Sequence, residues 1–169
     1  MSYPRMMAET VKIVPGIGHC DANAARTSDR VSLEGYAKVG ILVLQYQGGA
    51  GTANITVDKF TAASSGTEST GMTLNNWWKM EDITVGTTAD TWTKGTAAAT
   101  IATSNTASGM SYYWIEIDAD ELRTVTSSVD YKFIEVEISN GSQASNFLQC
   151  MFFLFGPRYA GSSLPSAQA

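Results

Sequence analysis

The chain of 169 residues holds one histidine, His19, and two cysteines, Cys20 and Cys150. Any nucleophile–imidazole relay must run through His19, which stands in a Gly-rich stretch beside Cys20 and Asp21. Loops do carry catalytic residues. A triad needs partners in space, however, and a lone imidazole with no partner motif reads more simply as a surface residue. Zinc fares no better: His19, Cys20 and Cys150 supply three ligands only if the two ends of the chain meet, and no CxxC or HxxxH spacing is present. Cys150 lies inside an apolar run, where a thiol acts as a small hydrophobe. Four carboxylates, Glu116, Asp118, Asp120 and Glu121, crowd one stretch. Paired carboxylates cleave glycosides when geometry allows. A calcium loop needs more oxygen ligands and a glycine at its bend, where this chain has Leu122 and Arg123. Asp118 and Glu121 have the spacing of a helix capping box, which accounts for both without a ligand. Gly16-Ile17-Gly18 lacks a third glycine and a following helix, and Lys94-Gly95 is not a P-loop. The expectation is a protein that is not an enzyme, with no catalytic residue, no metal site and no cofactor.

The side chains suited to binding are aromatic. Trp77 and Trp78 are adjacent, so in a strand they point to opposite faces. One fills the core; Trp78 is the candidate for an exposed contact, since an indole joins a large apolar area to a polar tip. Phe147 to Phe155 places apolar groups on both faces of a single strand. One face of an antiparallel sandwich strand normally meets water. A doubly apolar strand therefore predicts that Met151, Phe153 and Phe155 meet another subunit or an N-terminal arm.

The elements that must position these residues are strands. Lys38 to Gln47 is the first strong one, with Ile41, Leu42, Val43 and Leu44 in an unbroken run. Gly48-Gly49-Ala50-Gly51 predicts a hairpin to a return strand over Ala53 to Phe60, with Ile55 and Val57 inward and Asn54, Thr56 and Asp58 outward. Further strands are expected over Asn76 to Ile83, around Trp92 at an edge, over Ala97 to Thr103, Tyr112 to Asp118, Tyr131 to Ile138 and Phe147 to Phe155. Tyr113, Ile115 and Ile117 share one face; Trp114, Glu116 and Asp118 share the other. One short helix is expected from Ala119 to about Val125. Glu135 and Glu137 face solvent, and Asn140-Gly141 turns the chain.

Residues 1–30 show no steady period beyond a short strand at Val11 to Val14 and read as an N-terminal arm or extended segment. Residues 31–160 form the domain, and residues 161–169 are a flexible C-terminal tail. About eight strands joined by Gly-rich turns predict an all-β, jelly-roll-like antiparallel β-sandwich.

Composition agrees and excludes other classes. Ala, Thr, Ser and Gly are the commonest residues, and only 16% of the chain is charged. The net charge of -5 and the scattered Lys and Arg argue against nucleic acid as a partner. Hydrophobic residues at 44% exclude a disordered chain. Two cysteines cannot make a disulfide scaffold. Met1 to Thr10 has no apolar signal run, and Phe147 to Phe155 is too short to cross a membrane. The expectation is a soluble protein made in a reducing cytoplasm, where the sequons at Asn54 and Asn140 are chance matches.

Three phrases carry a resemblance. Val31-Ser32-Leu33-Glu34-Gly35-Tyr36 leads into the Ile41–Tyr46 strand; Tyr113 to Leu122 follows; Phe153-Leu154-Phe155-Gly156-Pro157-Arg158-Tyr159-Ala160 closes the domain. Over about residues 28–160 this order resembles the head decoration (cement) proteins of tailed bacteriophages and related minor virion structural proteins. The resemblance implies a β-rich domain on the capsid exterior, often a homotrimer, with the major capsid protein as partner and no cofactor. It would be made in a bacterial host cytoplasm and carried on the virion. The family supplies no motif-defined functional residues. Contact with neighbours is expected from the arm and from Met151, Phe153, Phe155, Arg158 and Tyr159. The competing readings are a carbohydrate-binding or fibre-tip β-sandwich module and a tail-tube subunit.

Overall fold

A computed structural model describes residues 10–83, 91–104, 106–107, 109–122 and 129–157. Two antiparallel sheets face each other across one core. The first is built from β1 (Val11–Ala22), β12 (Gln143–Phe155), β4 (Lys38–Gln47), β10 (Gly109–Asp118), β7 (Asn76–Ile83) and β8 (Thr93–Lys94), in that order. The second runs β2 (Arg26–Thr27), β11 (Phe133–Ile138), β5 (Asn54–Phe60), β6 (Glu68–Ser69), with β3 (Val31–Ser32) on β11 and β9 (Ile101–Ala102) on β5. The all-β sandwich expected from the sequence is the observed architecture. Among the described residues, seven strands have six or more residues and five have two.

Alternation builds the core. Ile41 and Val43 of β4, Tyr113, Ile115 and Ile117 of β10, and Cys150, Phe152 and Leu154 of β12 point inward from the first sheet. Ile55 and Val57 of β5 and Ile134, Val136 and Ile138 of β11 meet them from the second. Trp77 turns inward and donates its indole N–H to the Thr96 carbonyl at 2.8 Å, while Gly95 leaves room for its ring. Tyr113 is tied at its hydroxyl: it donates to Glu81 Oε1 at 2.7 Å and accepts from the Ser104 N–H at 2.7 Å. Burial raises its pKa first, and the Glu81 bond adds to that.

Several expectations are corrected. Lys38–Gln47 and Asn54–Phe60 do not form a hairpin. β4 lies in the first sheet between β12 and β10, each paired to it in register from Lys38 onward, and β5 lies in the second sheet. None of Gly48, Gly49 and Gly51 has the positive φ a hairpin turn would use. The loop instead carries the chain between sheets and is tied to β12 by the Gly49 N–H to Asn146 Oδ1 bond, 3.0 Å. The outward residues differ accordingly: Leu42 and Leu44 of β4 are apolar, whereas Asn54 and Thr56 of β5 are polar. The two strands belong to sheets with different outer faces. Asn140-Gly141 likewise links the second sheet to the first, and the positive φ falls on Ser142.

The segment before residue 31 holds a long edge strand. β1 is hydrogen-bonded beside β12 from Val11 to Ala22. The short strand expected at Val11 to Val14 is its start; register shifts between Pro15 and Ile17, Ile17 and Cys20, and Asp21 and Ala22 scramble the alternation beyond and hide the rest in the sequence. The short helix is one 3-10 turn, Ala119–Leu122. Glu121 accepts the Asp118 backbone N–H, as the capping-box spacing requires. The rest of the expected helix, residues 123–125, lies outside the described residues.

Candidate protein interaction surface

The two sheets present opposite chemistry to the outside. On the second sheet, the outward residues of β5 and β11 include Thr56, Glu135 and Glu137, with Thr56 opposite Glu137; Asp58, opposite Glu135 and expected outward, is instead buried and accepts the Gly71 N–H at 2.6 Å. Arg30 lies over the Phe60 ring at 3.5 Å and reaches Glu135 at 3.4 Å. This face is polar and acidic.

The outer face of the first sheet is apolar and aromatic. Register aligns Trp78, Trp114, Leu42, Met151 and Pro15 in one row across five strands. The next row holds Met80, Tyr112, Leu44 and Gln149. Phe153 and Ile13 flank the first row on its other side, and Met110, Tyr46 and Phe147 form a further row. The exposed large hydrophobics among the described residues are Ile13 (53%), Tyr46 (46%), Trp92 (43%), Met110 (41%) and Phe147 (36%). Four of them stand on this face. The fifth, Trp92, stands at its rim, where it shares an open depression with Trp78, Trp114 and Glu116.

Close packing holds the aromatics in place. Trp114 and Phe153 meet at 5.6 Å between ring centres, and the Trp114 ring lies over Gly40, where a Cβ would collide with it. Lys94 sits 5.6 Å above the Trp78 ring. Trp114 Nε1 donates to Glu116 Oε1 at 3.0 Å. Lys38 Nζ reaches Glu116 at 3.0 Å and Asp118 at 3.7 Å. The Trp114 N–H and then Lys38 pull the Glu116 carboxyl below its ordinary range, against burial. The charge at this end of the face is thereby paired within the chain.

The sequence-predicted contact residues divide cleanly. Met151, Phe153, Phe155 and Trp78 are half-buried and share this one face. Arg158 and Tyr159 lie outside the described residues. β1 runs beside β12 and does not lie over it, so it does not cover Met151 or Phe153. Ile13, Leu44, Tyr46, Met80 and Met110 were not singled out from the sequence. The outward apolar positions of β4, interleaved with an inward apolar set, were the available signal.

The chemical candidates come apart. His19 is exposed and stacks on Phe147 at 5.0 Å with 12° between planes, which makes it part of the same surface. Cys150 is in the core, where burial pushes its thiol up to about 12. His19 therefore lies on the opposite side of the sheet from Cys150, while Cys20 packs against the core. Among the described residues no three His, Cys, Asp or Glu side chains are grouped to hold a metal ion.

No protein-family model matches the chain, and no curated protein sequence matches it. Among solved structures, the SPBc2 prophage-derived protein YomS is similar with a TM-score of 0.49 and 5% identity, over 86% of this chain and 93% of that one. A chain in the structure of infectious bursal disease virus Gx strain gives a TM-score of 0.21 and 7% identity, over 94% of this chain and 44% of that one.

Proposed function

We propose that this chain is a non-enzymatic structural protein of a tailed-bacteriophage virion, and that it decorates and stabilises the capsid through protein–protein contacts. The reading is carried by one observation: a five-strand-wide apolar outer face on a sandwich whose opposite outer face is polar. Monomeric proteins rarely expose so large a contiguous apolar patch, and such patches mark contact surfaces. The resemblance of the Val31–Tyr36, Tyr113–Leu122 and Phe153–Ala160 phrases to head decoration proteins supplies the setting. The partners are the major capsid protein and other copies of this chain. A cement protein stabilises a shell because it binds the assembled state and not the free subunits.

The test is co-sedimentation of the purified protein with capsids of its own phage, followed by electron microscopy and heat treatment. Saturable binding on the shell exterior and a raised disruption temperature are expected. Density in a tail tube, or none on the particle, would refute the reading. A glycan-binding fibre module is the second reading, favoured by the open depression between Trp78, Trp92, Trp114 and Glu116. It requires tryptophan fluorescence to change on sugar titration.

A further inference from the structure

We propose that the outer face of the first sheet seats the same face of a second copy of this chain, as an isologous pair. The inference names one occupant of the surface on which the proposed function rests.

Size is the first ground. Five strands of this sheet, β1, β12, β4, β10 and β7, lie side by side. At ~4.8 Å between strands and ~3.4 Å per residue over the Lys38–Tyr46 span, they cover roughly 700 Å². A stable protein interface buries ~800 Å² per partner. The face is therefore of the size one partner needs, in one continuous sheet.

Charge is the second ground. The chain carries a net charge of -5, yet the centre of this face has none. Leu42, Leu44, Tyr112, Trp114, Gln149 and Met151 are uncharged, and Glu116 at the margin is already paired with Lys38. An acidic protein repels its copies across most surfaces. The charges near it lie at its margins, Lys38 with Glu116 and Asp118 at one end and Lys94 over the Trp78 ring at the β8 edge, so two copies can meet with no charge to bury at the centre. The second sheet, with Glu137 and the Arg30-paired Glu135 outward, would bring charged groups into such a contact. Two such apolar faces pack like the two sheets of one sandwich, about 10 Å apart.

Symmetry is the third ground. One patch that meets its own copy generates a closed two-fold pair, whereas a trimer needs two different patches on each subunit. The geometry thus favours a pair over the trimer that the resemblance implies.

The experiment is light scattering after size exclusion on the full chain, from about 1 to 100 µM, for the parent, Met151→Glu and the opposite-face variant Glu137→Lys. The parent and Glu137→Lys should run as twice the chain mass, with Met151→Glu at single mass and its dissociation constant raised about 100-fold or more. Circular dichroism of each variant reports the fold. Gln149→Cys covers the case in which Met151→Glu does not fold: near a two-fold axis it should oxidise to a linked pair, while Thr56→Cys should not. A parent of single mass at 100 µM, a parent of three-fold mass, or a pair that persists in folded Met151→Glu overturns the proposal. A single-mass parent that still coats capsids would remove the self-pairing and leave the decoration role. A pair that ignores capsids would do the reverse.

Discussion

Gly40→Ala tests the packing of the apolar face at one atom. The Trp114 indole covers Gly40, and a Cβ built there would overlap its Cζ2 and Cη2 and stand 3.1 Å from Phe155 Cε2. The alanine forces the ring outward. That movement breaks the 3.0 Å bond to Glu116 and loosens the pair with Phe153. Over-packing costs about 1–3 kcal/mol, and a lost aromatic pair about 0.5–1.5 kcal/mol. Against this, alanine stabilises a strand position by about 0.5–1 kcal/mol through the unfolded chain. The face is half open, so the ring relaxes into solvent and the low ends of these ranges apply. The net loss is about 0.5–1 kcal/mol, which at ~2–4 °C per kcal/mol for a chain of this length lowers Tm by about 1–4 °C. Thermal melts should be recorded at one protein concentration, because self-association shifts Tm by mass action. The same substitution in a Trp114→Leu background isolates the collision, since the shortened side chain no longer reaches the new methyl. In that background Gly40→Ala should be neutral or slightly stabilising. An equal loss in both backgrounds, or none in the parent, would refute the reasoning.

Two further outcomes follow from the site's chemistry. With its thiol pushed up to about 12 inside the core, Cys150 should resist a thiol reagent at pH 8 in the native protein and react only on unfolding, while half-buried Cys20 reacts first. Two fast thiols in the folded state would contradict the placement of Cys150. Glu116 is held below its ordinary value of 4.5 by the Trp114 N–H and Lys38. Its contribution to stability is therefore complete above that value and is lost as pH falls through the lower folded value. Denaturant titrations should show a shallower acid limb for Glu116→Gln than for the parent; parallel limbs would count against the Trp114–Glu116–Lys38 arrangement.

The strands were legible because side-chain alternation is local. Lys38–Gln47 and Asn76–Ile83 are bounded as the pattern predicts, the split of Trp77 from Trp78 follows from a two-residue period, and Met151, Phe153 and Phe155 were marked by a strand apolar on both faces. Of β1 only the start, Val11–Val14, was legible, because bulges from Pro15 onward break the period that would have shown the rest. Pairing was decided only by the tertiary structure. Every strand offers the same backbone donors and acceptors, so Gly48–Gly51 could not say whether β4 would accept β5 or cross to the other sheet. In the structure half-buried Leu42 and Leu44 sit beside Trp114, Tyr112, Met151 and Gln149, whereas the outward Asn54 and Thr56 of β5 are polar. The apolar outer face shares this origin: single residues pointed to it, but only register across β1, β12, β4, β10 and β7 gathered Ile13, Tyr46 and Met110 onto one side. Sequence specifies which side of a strand is apolar; long-range packing specifies which strands lie side by side.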